Sequence, residues 1–187
     1  EGALPGHAQA EGRAQGWANM LHDMKQGHVS MNDESIFEVG KNVATTEGAV
    51  VFENEFFQLV EYKGLTDKVY ERPFLMVPPY INKFYILDLQ PENSLIRYAT
   101  AQGHRTFVLS WRNPDQSMAG KTWDDYIEHA AIKAIEVVQE ITGADTINAL
   151  GFCVGGTILA TALSVLAARG EKPVESLTLL TSLLDFN

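Results

Sequence analysis

The residues with the plainest capacity for chemistry stand at Gly151-Phe152-Cys153-Val154-Gly155, a Gly-x-nucleophile-x-Gly pattern with a thiol at its centre. Before it, Asp145 to Leu150 reads as a short buried strand, and after it Thr157 to Arg169 reads as an apolar helix. Strand, one-residue corner and helix together predict a nucleophile elbow, whose middle residue is held in a strained conformation that lifts its side chain above the sheet edge. Side chains at Gly151 and Gly155 would collide with the strand or helix packed against the turn. The helix directs its positive end at Cys153, which favours thiolate over thiol. A lone cysteine in an apolar run is otherwise a small core residue. The strand before it and the helix after it tip the reading toward a nucleophile.

A thiol nucleophile needs a base, a group that orients the base, and donors for an oxyanion. One donor is the backbone N–H of Val154, which comes with the elbow. The second belongs on the loop after the strand ending at Pro78, which is Pro79-Tyr80-Ile81-Asn82-Lys83. Ile81 is favoured, then Tyr80; Pro79 has no N–H to give. The base is harder to place, because in this class of elbow the acid and the histidine follow the nucleophile. No histidine follows Cys153, and the acids that do are Glu171, Glu175 and Asp185. Asp185, at a strand end, is a fallback acid whose plainer reading is a solvated carboxylate. His7, His22, His28, His104 and His129 all precede the elbow. His104 falls in a turn at the sheet end opposite the elbow and His129 lies mid-helix on the outer layer, so neither is expected to reach Cys153. His22 and His28 lack a carboxylate or cysteine cluster that would complete a metal site. The chain therefore reads as truncated, ending after about the fourth parallel strand of a larger sheet.

The elements that must position these groups follow in order. Ala8 to Met24 can form a helix with Trp17, Met20, Leu21 and Met24 on one face, and residues 1–30 read as a linker or the tail of a preceding domain. Residues 31–187 read as the first half of a catalytic domain. Met31 to Glu47 is polar and turn-rich, and strands at 49–53 and 56–62 form a hairpin around Asn54-Glu55. Pro73 to Pro78 is a continuous apolar run suited to a strand buried on both faces. A helix at 91–102, a strand at 106–111, a long amphipathic helix at 122–142 and a strand at 176–183 complete the alternation. Strands alternating with helices predict an α/β fold, a doubly wound and mostly parallel sheet with helices on both faces. The elbow then lies at the carboxyl edge of a central strand, where such sheets place ligands.

Composition narrows the field. The 187 residues are 45% hydrophobic and 20% charged, ordinary for a globular domain, and the net charge of −10 argues against a nucleic-acid surface. A single cysteine precludes an internal disulfide and suits a reducing cytoplasm. No run approaches the roughly 18 apolar residues of a membrane span, and the first residues do not form a signal peptide.

Three stretches together resemble one family, the polyhydroxyalkanoate synthases of the class I type. They are VYERPFLMVPPYINKFYILDLQPENSLIRY (69–98), FVLSWRNPDQSMAGKTWDDYIEHAAIKAIEVV (107–138) and INALGFCVGGTILATALSVLAARG (147–170). The resemblance implies an α/β-hydrolase fold, incomplete in this chain, that polymerises (R)-3-hydroxyacyl-CoA into polyhydroxyalkanoate and releases CoA. Cys153 matches the family's catalytic cysteine, while the family's aspartate and histidine match no residue here. It further implies short-chain monomers such as 3-hydroxybutyryl-CoA, no cofactor, a growing polyester as partner, a homodimer, and a cytoplasmic location on polymer granules. A cysteine thioesterase or dienelactone-type hydrolase on the same core is the second reading, and a non-catalytic scaffold the third.

Overall fold

The computed structural model describes residues 5–27 and 36–185. The chain divides into two compact units, Glu1–Glu38 and Val39–Asn187. The first carries helix α1 (Pro5–Gln26), longer at both ends than the expected 8–24. Its Trp17, Leu21 and Met24 are all exposed. The expected boundary at residue 30 and His28 lie outside the described residues.

The second unit is built on a six-stranded sheet: β1 (Gly48–Glu53), β2 (Phe57–Tyr62), β3 (Phe74–Val77), β4 (Thr106–Trp111), β5 (Ile147–Phe152) and β6 (Val174–Leu180), in spatial order β1-β2-β4-β3-β5-β6. β4, β3, β5 and β6 are parallel neighbours, and β2 pairs antiparallel with both β1 and β4. Strand periodicity divides the core between the two faces. Phe57, Leu59, Leu75, Val77, Phe107, Leu109, Ile147 and Ala149 point to one side and pack with the helical residues 127–138 and 158–166. Val60, Tyr62, Met76, Val108 and Leu150 point to the other, against Ile96 and Ala99 of α2 (Leu95–Ala101). Leu75, Met76 and Val77 are wholly buried, which is why that strand is apolar at successive positions.

Several boundaries differ from the sequence expectation, each for a local reason. The helix expected at 91–102 is a 3-10 turn at Pro91–Asn93 followed by α2, because Ser94 is extended and its hydroxyl accepts from the Arg97 N–H at 2.8 Å, so a new helix starts there. The helix expected at 122–142 is continuous but not uniform. It runs as α3 (Trp123–Tyr126), a π segment (Ile127–Ile132) and α4 (Lys133–Thr142). A Thr122–Asp125 capping box opens it, and Gly143 closes it at φ 70°. The Asn54 amide donates to the His129 carbonyl in the π segment (2.8 Å), and its oxygen accepts the Phe56 N–H. That side chain ties the β1–β2 turn to the widened helix. The strand expected at 145–150 is shifted to Ile147–Phe152, with the Asp145 carbonyl accepting from the Gln139 side chain instead of a neighbouring strand. The strand expected at 176–183 likewise lies at Val174–Leu180.

Candidate active site at the Cys153 elbow

β5 ends at Phe152 and α5 (Val154–Ala168) begins one residue after Cys153, three residues earlier than the apolar pattern alone suggests. Gly155 and Gly156 therefore lie inside the helix, where their low helix propensity hides them from a reading by composition. Cys153 has φ 54° and ψ −126°, a conformation rare for a residue with a side chain. Its N–H donates to the Leu180 carbonyl (2.8 Å), and its own carbonyl accepts from Gly156 N–H at 2.9 Å. The corner is thus held at both ends by backbone.

The glycines are required by close approach. A Cβ on Gly151 would lie 2.3 Å from the Gly156 Cα, and one on Gly155 would lie 2.1 Å from the Val77 carbonyl oxygen and 2.6 Å from that of Pro78. A Cβ on Gly156 would lie 1.8 Å from the Ser182 hydroxyl, so that side chain would have to move to admit it. The helix start is therefore pressed against the end of β3, which brings the loop following β3 to the corner.

That loop folds as a turn in which the Asn82 N–H donates to the Pro79 carbonyl (3.2 Å), with Tyr80 and Ile81 at its corners. Tyr80 lines a cavity of about 460 Å³ with Cys153, Val154, Trp123, Thr157 and Leu183, while the Ile81 side chain is 68% exposed. Val154, as the first residue of α5, has an N–H without an intrahelical acceptor. The cavity wall is mostly apolar.

Two features behind the site were not singled out from sequence. The Trp111 indole N–H donates to the Pro78 carbonyl at 2.7 Å in a buried setting. The Tyr80 ring meets Trp111 edge-on at 6.0 Å and lies 6.2 Å from Tyr126. At the far end of the loop, Asp88 is fully buried, and its carboxylate accepts from the Thr46 hydroxyl (2.6 Å), the Thr46 N–H (3.1 Å) and the Ser94 hydroxyl (2.5 Å). Burial, and then the Asp88 charge, push the Tyr62 phenol above its ordinary range. A lone aspartate in FYILDLQ carries no sequence mark of being internal. Its partners are 42 residues upstream and 6 downstream.

Neither histidine of the second unit, His104 or His129, lies at the elbow. His104 precedes β4, at the end of the parallel strands opposite Cys153, against the rings of Tyr70 and Phe74. His129 sits in the π segment and stacks on Phe56 at 6.0 Å. Glu175 stands 3.9 Å from Arg72 at the start of β6, and Glu171 lies in the turn after α5. Asp185 follows β6, five residues beyond its last residue Leu180. No group of three or more His, Cys, Asp or Glu that could hold a metal ion occurs among the described residues.

Fold and elbow together define the α/β-hydrolase class. The family profile described as alpha/beta hydrolase fold matches residues 73–187. A fungal esterase structure from Rhizomucor miehei superposes with a TM-score of 0.55 at 12% identity, covering 84% of this chain and 50% of that one. A metagenomic alpha/beta hydrolase from lagoon sediments of Mar Chica, Morocco, gives 0.50 at 14% identity, covering 72% and 52%. Likeness at such identity shows the fold alone. A second profile, described as the N-terminus of poly-beta-hydroxybutyrate polymerase (PhaC), matches residues 7–99. The poly(3-hydroxyalkanoate) polymerase subunit PhaC of Cupriavidus necator is 70% identical over 171 residues, covering 91% of this chain and 29% of that protein. The corresponding subunit of Rhizobium meliloti is 44% identical over 154 residues, covering 82% and 25%. The chain belongs to the poly(3-hydroxyalkanoate) polymerase family. It spans less than a third of the length of these curated relatives.

Proposed function

We propose that the protein to which this chain belongs is an acyltransferase that polymerises (R)-3-hydroxyacyl-CoA, with Cys153 as its nucleophile. The observation that carries the reading is a cysteine at the corner of a strand–helix elbow in a chain 70% identical to a named polymerase subunit. The Cys153 thiolate attacks the thioester carbonyl, forming a carbon–sulfur bond and a tetrahedral oxyanion. The N–H of Val154 and a second N–H from the Tyr80–Ile81 turn receive that oxyanion. Collapse breaks the bond to the CoA sulfur, and CoA leaves as a thiol once protonated. One thioester has replaced another, so the acyl group keeps its activation. The hydroxyl of a growing chain or of the next monomer then attacks it, an ester bond forms and Cys153 is released. A serine at this corner would form an ester in the first step and forfeit that activation.

The aspartate and histidine that the family resemblance implies match no residue of this chain. The base acting on thiol and hydroxyl is assigned to the remainder of the protein. Short-chain monomers, a homodimer and a cytoplasmic granule surface are part of the same reading. No helix among the described residues is long and apolar enough to cross a membrane.

The test is incubation of the full-length protein with 3-hydroxybutyryl-CoA. CoA release with insoluble polyester supports the proposal, and its loss in Cys153→Ala assigns the nucleophile. CoA with free acid marks a thioesterase. No release, with iodoacetamide labelling Cys153 only after denaturation, makes Cys153 a core residue.

A further inference from the structure

Building on that reading, we infer that Trp111 is a positioning residue for the second oxyanion donor. Pro78 follows the last residue of β3, so its carbonyl leaves the sheet just where the chain turns into the Tyr80–Ile81 corner. A buried carbonyl at that point needs a donor. The donor is the Trp111 indole N–H at 2.7 Å, from the last residue of β4, the strand neighbouring β3. Trp111 is only 8% exposed. The same carbonyl would lie 2.6 Å from a Cβ on Gly155, so it is caught between the indole on one side and the start of α5 on the other. Rotation of the 78–79 peptide would break the hydrogen bond and drive the carbonyl out of the space that the glycine leaves. The Tyr80 ring, edge-on to the indole, adds a second contact from the turn itself. Trp111 thus sets the direction in which the chain leaves β3, and with it the aim of the Tyr80 and Ile81 amides two and three residues later. Trp111 is not among the residues that line the cavity at Cys153. Its effect is confined to where the oxyanion is received.

This makes a separable prediction, because alkylation of a thiolate by iodoacetamide forms no oxyanion whereas acyl transfer from CoA does. In the full-length protein, Trp111→Phe keeps a ring and removes the N–H. Replacing the indole by benzothiophene, through site-specific incorporation of 3-benzothienylalanine, keeps the bicyclic shape as well. Both variants are expected to lower kcat for 3-hydroxybutyryl-CoA by about tenfold to a hundredfold. KM and the iodoacetamide rate at Cys153 should change less than about threefold, as expected when an interaction made only in the transition state is lost. Unchanged kcat in the benzothiophene variant overturns the inference. So does an equal fall in kcat and in alkylation rate, which marks a general packing role. Polymerisation that survives in Cys153→Ala overturns the catalytic reading itself, a result that these Trp111 outcomes cannot mimic.

Discussion

At the scale of single residues, the corner at Cys153 concentrates the strain of the site. Its φ of 54° is one of three positive values at non-glycine residues among those described, with Ala44 and Thr181. A side chain in such a conformation costs on the order of 1–3 kcal/mol, which the surroundings must offset. Here they are the Cys153 N–H bond to Leu180 and the packing of α5 on β3. Glycine at the corner removes the strain but enlarges the unfolded ensemble, which returns part of the gain. Cys153→Gly is therefore expected to be about 1 kcal/mol more stable than Cys153→Ala in urea denaturation. Equal midpoints would mean that the corner is relaxed.

Among the elements, the segment after β4 has the clearest electrostatic design. In Arg112-Asn113-Pro114-Asp115-Gln116-Ser117, the Asp115 carboxylate caps the short 3-10 turn at Gln116–Met118 and meets the Arg112 guanidinium at 2.8 Å. The Ser117 hydroxyl and then Arg112 hold its carboxyl down at about 2, well below the usual carboxylate value. A depressed pKa stabilises the folded state above the unfolded value and ceases to do so as pH falls through the folded one. The contribution is thus intact above about pH 4 and lost between pH 4 and pH 2. Asp115 is exposed, so salt and solvent screen the effect. Thermal melting of the parent and of Asp115→Asn should differ at pH 6 and converge by pH 2. A difference that persists at pH 2 would assign the effect to something other than the carboxylate charge.

For the whole molecule, the burial gradient across the sheet decides which parts open first. Every residue of β3 and β4 is buried or half-buried, whereas most of β1 and β6 are exposed. Local opening tracks buried apolar contact. Amide hydrogen exchange on this chain should therefore be slowest in β3, β4 and β5 and fastest, among the strands, in β1 and β6. Protection in β6 equal to that in β5 would refute the ordering. Because the Cys153 N–H is bonded to the last residue of β6, opening of β6 reaches the elbow before it reaches β3.

The sequence by itself determined the elbow, the loop meant to face it and the alternation of strands with helices. These depend on local rules: a glycine pattern at fixed spacing, a proline-bounded apolar run, and a period that changes from 2 to 3.6. Gly151 and Gly155 were legible for the same reason, since close approach at an elbow is a property of the motif. What only the tertiary structure decided depends on contacts between distant segments. Trp111 could be read as a core strand residue but not as the donor to Pro78, because that pairing arises from β4 lying beside β3, 33 residues apart in the chain. Nothing local marks Asp88 as internal, and its burial comes from Thr46 and Ser94 closing around it. The His129 carbonyl in the π segment likewise takes a donor from Asn54, on a hairpin 75 residues away. A chain can state its own periodicity, but which carbonyl will need a donor depends on what folds against it.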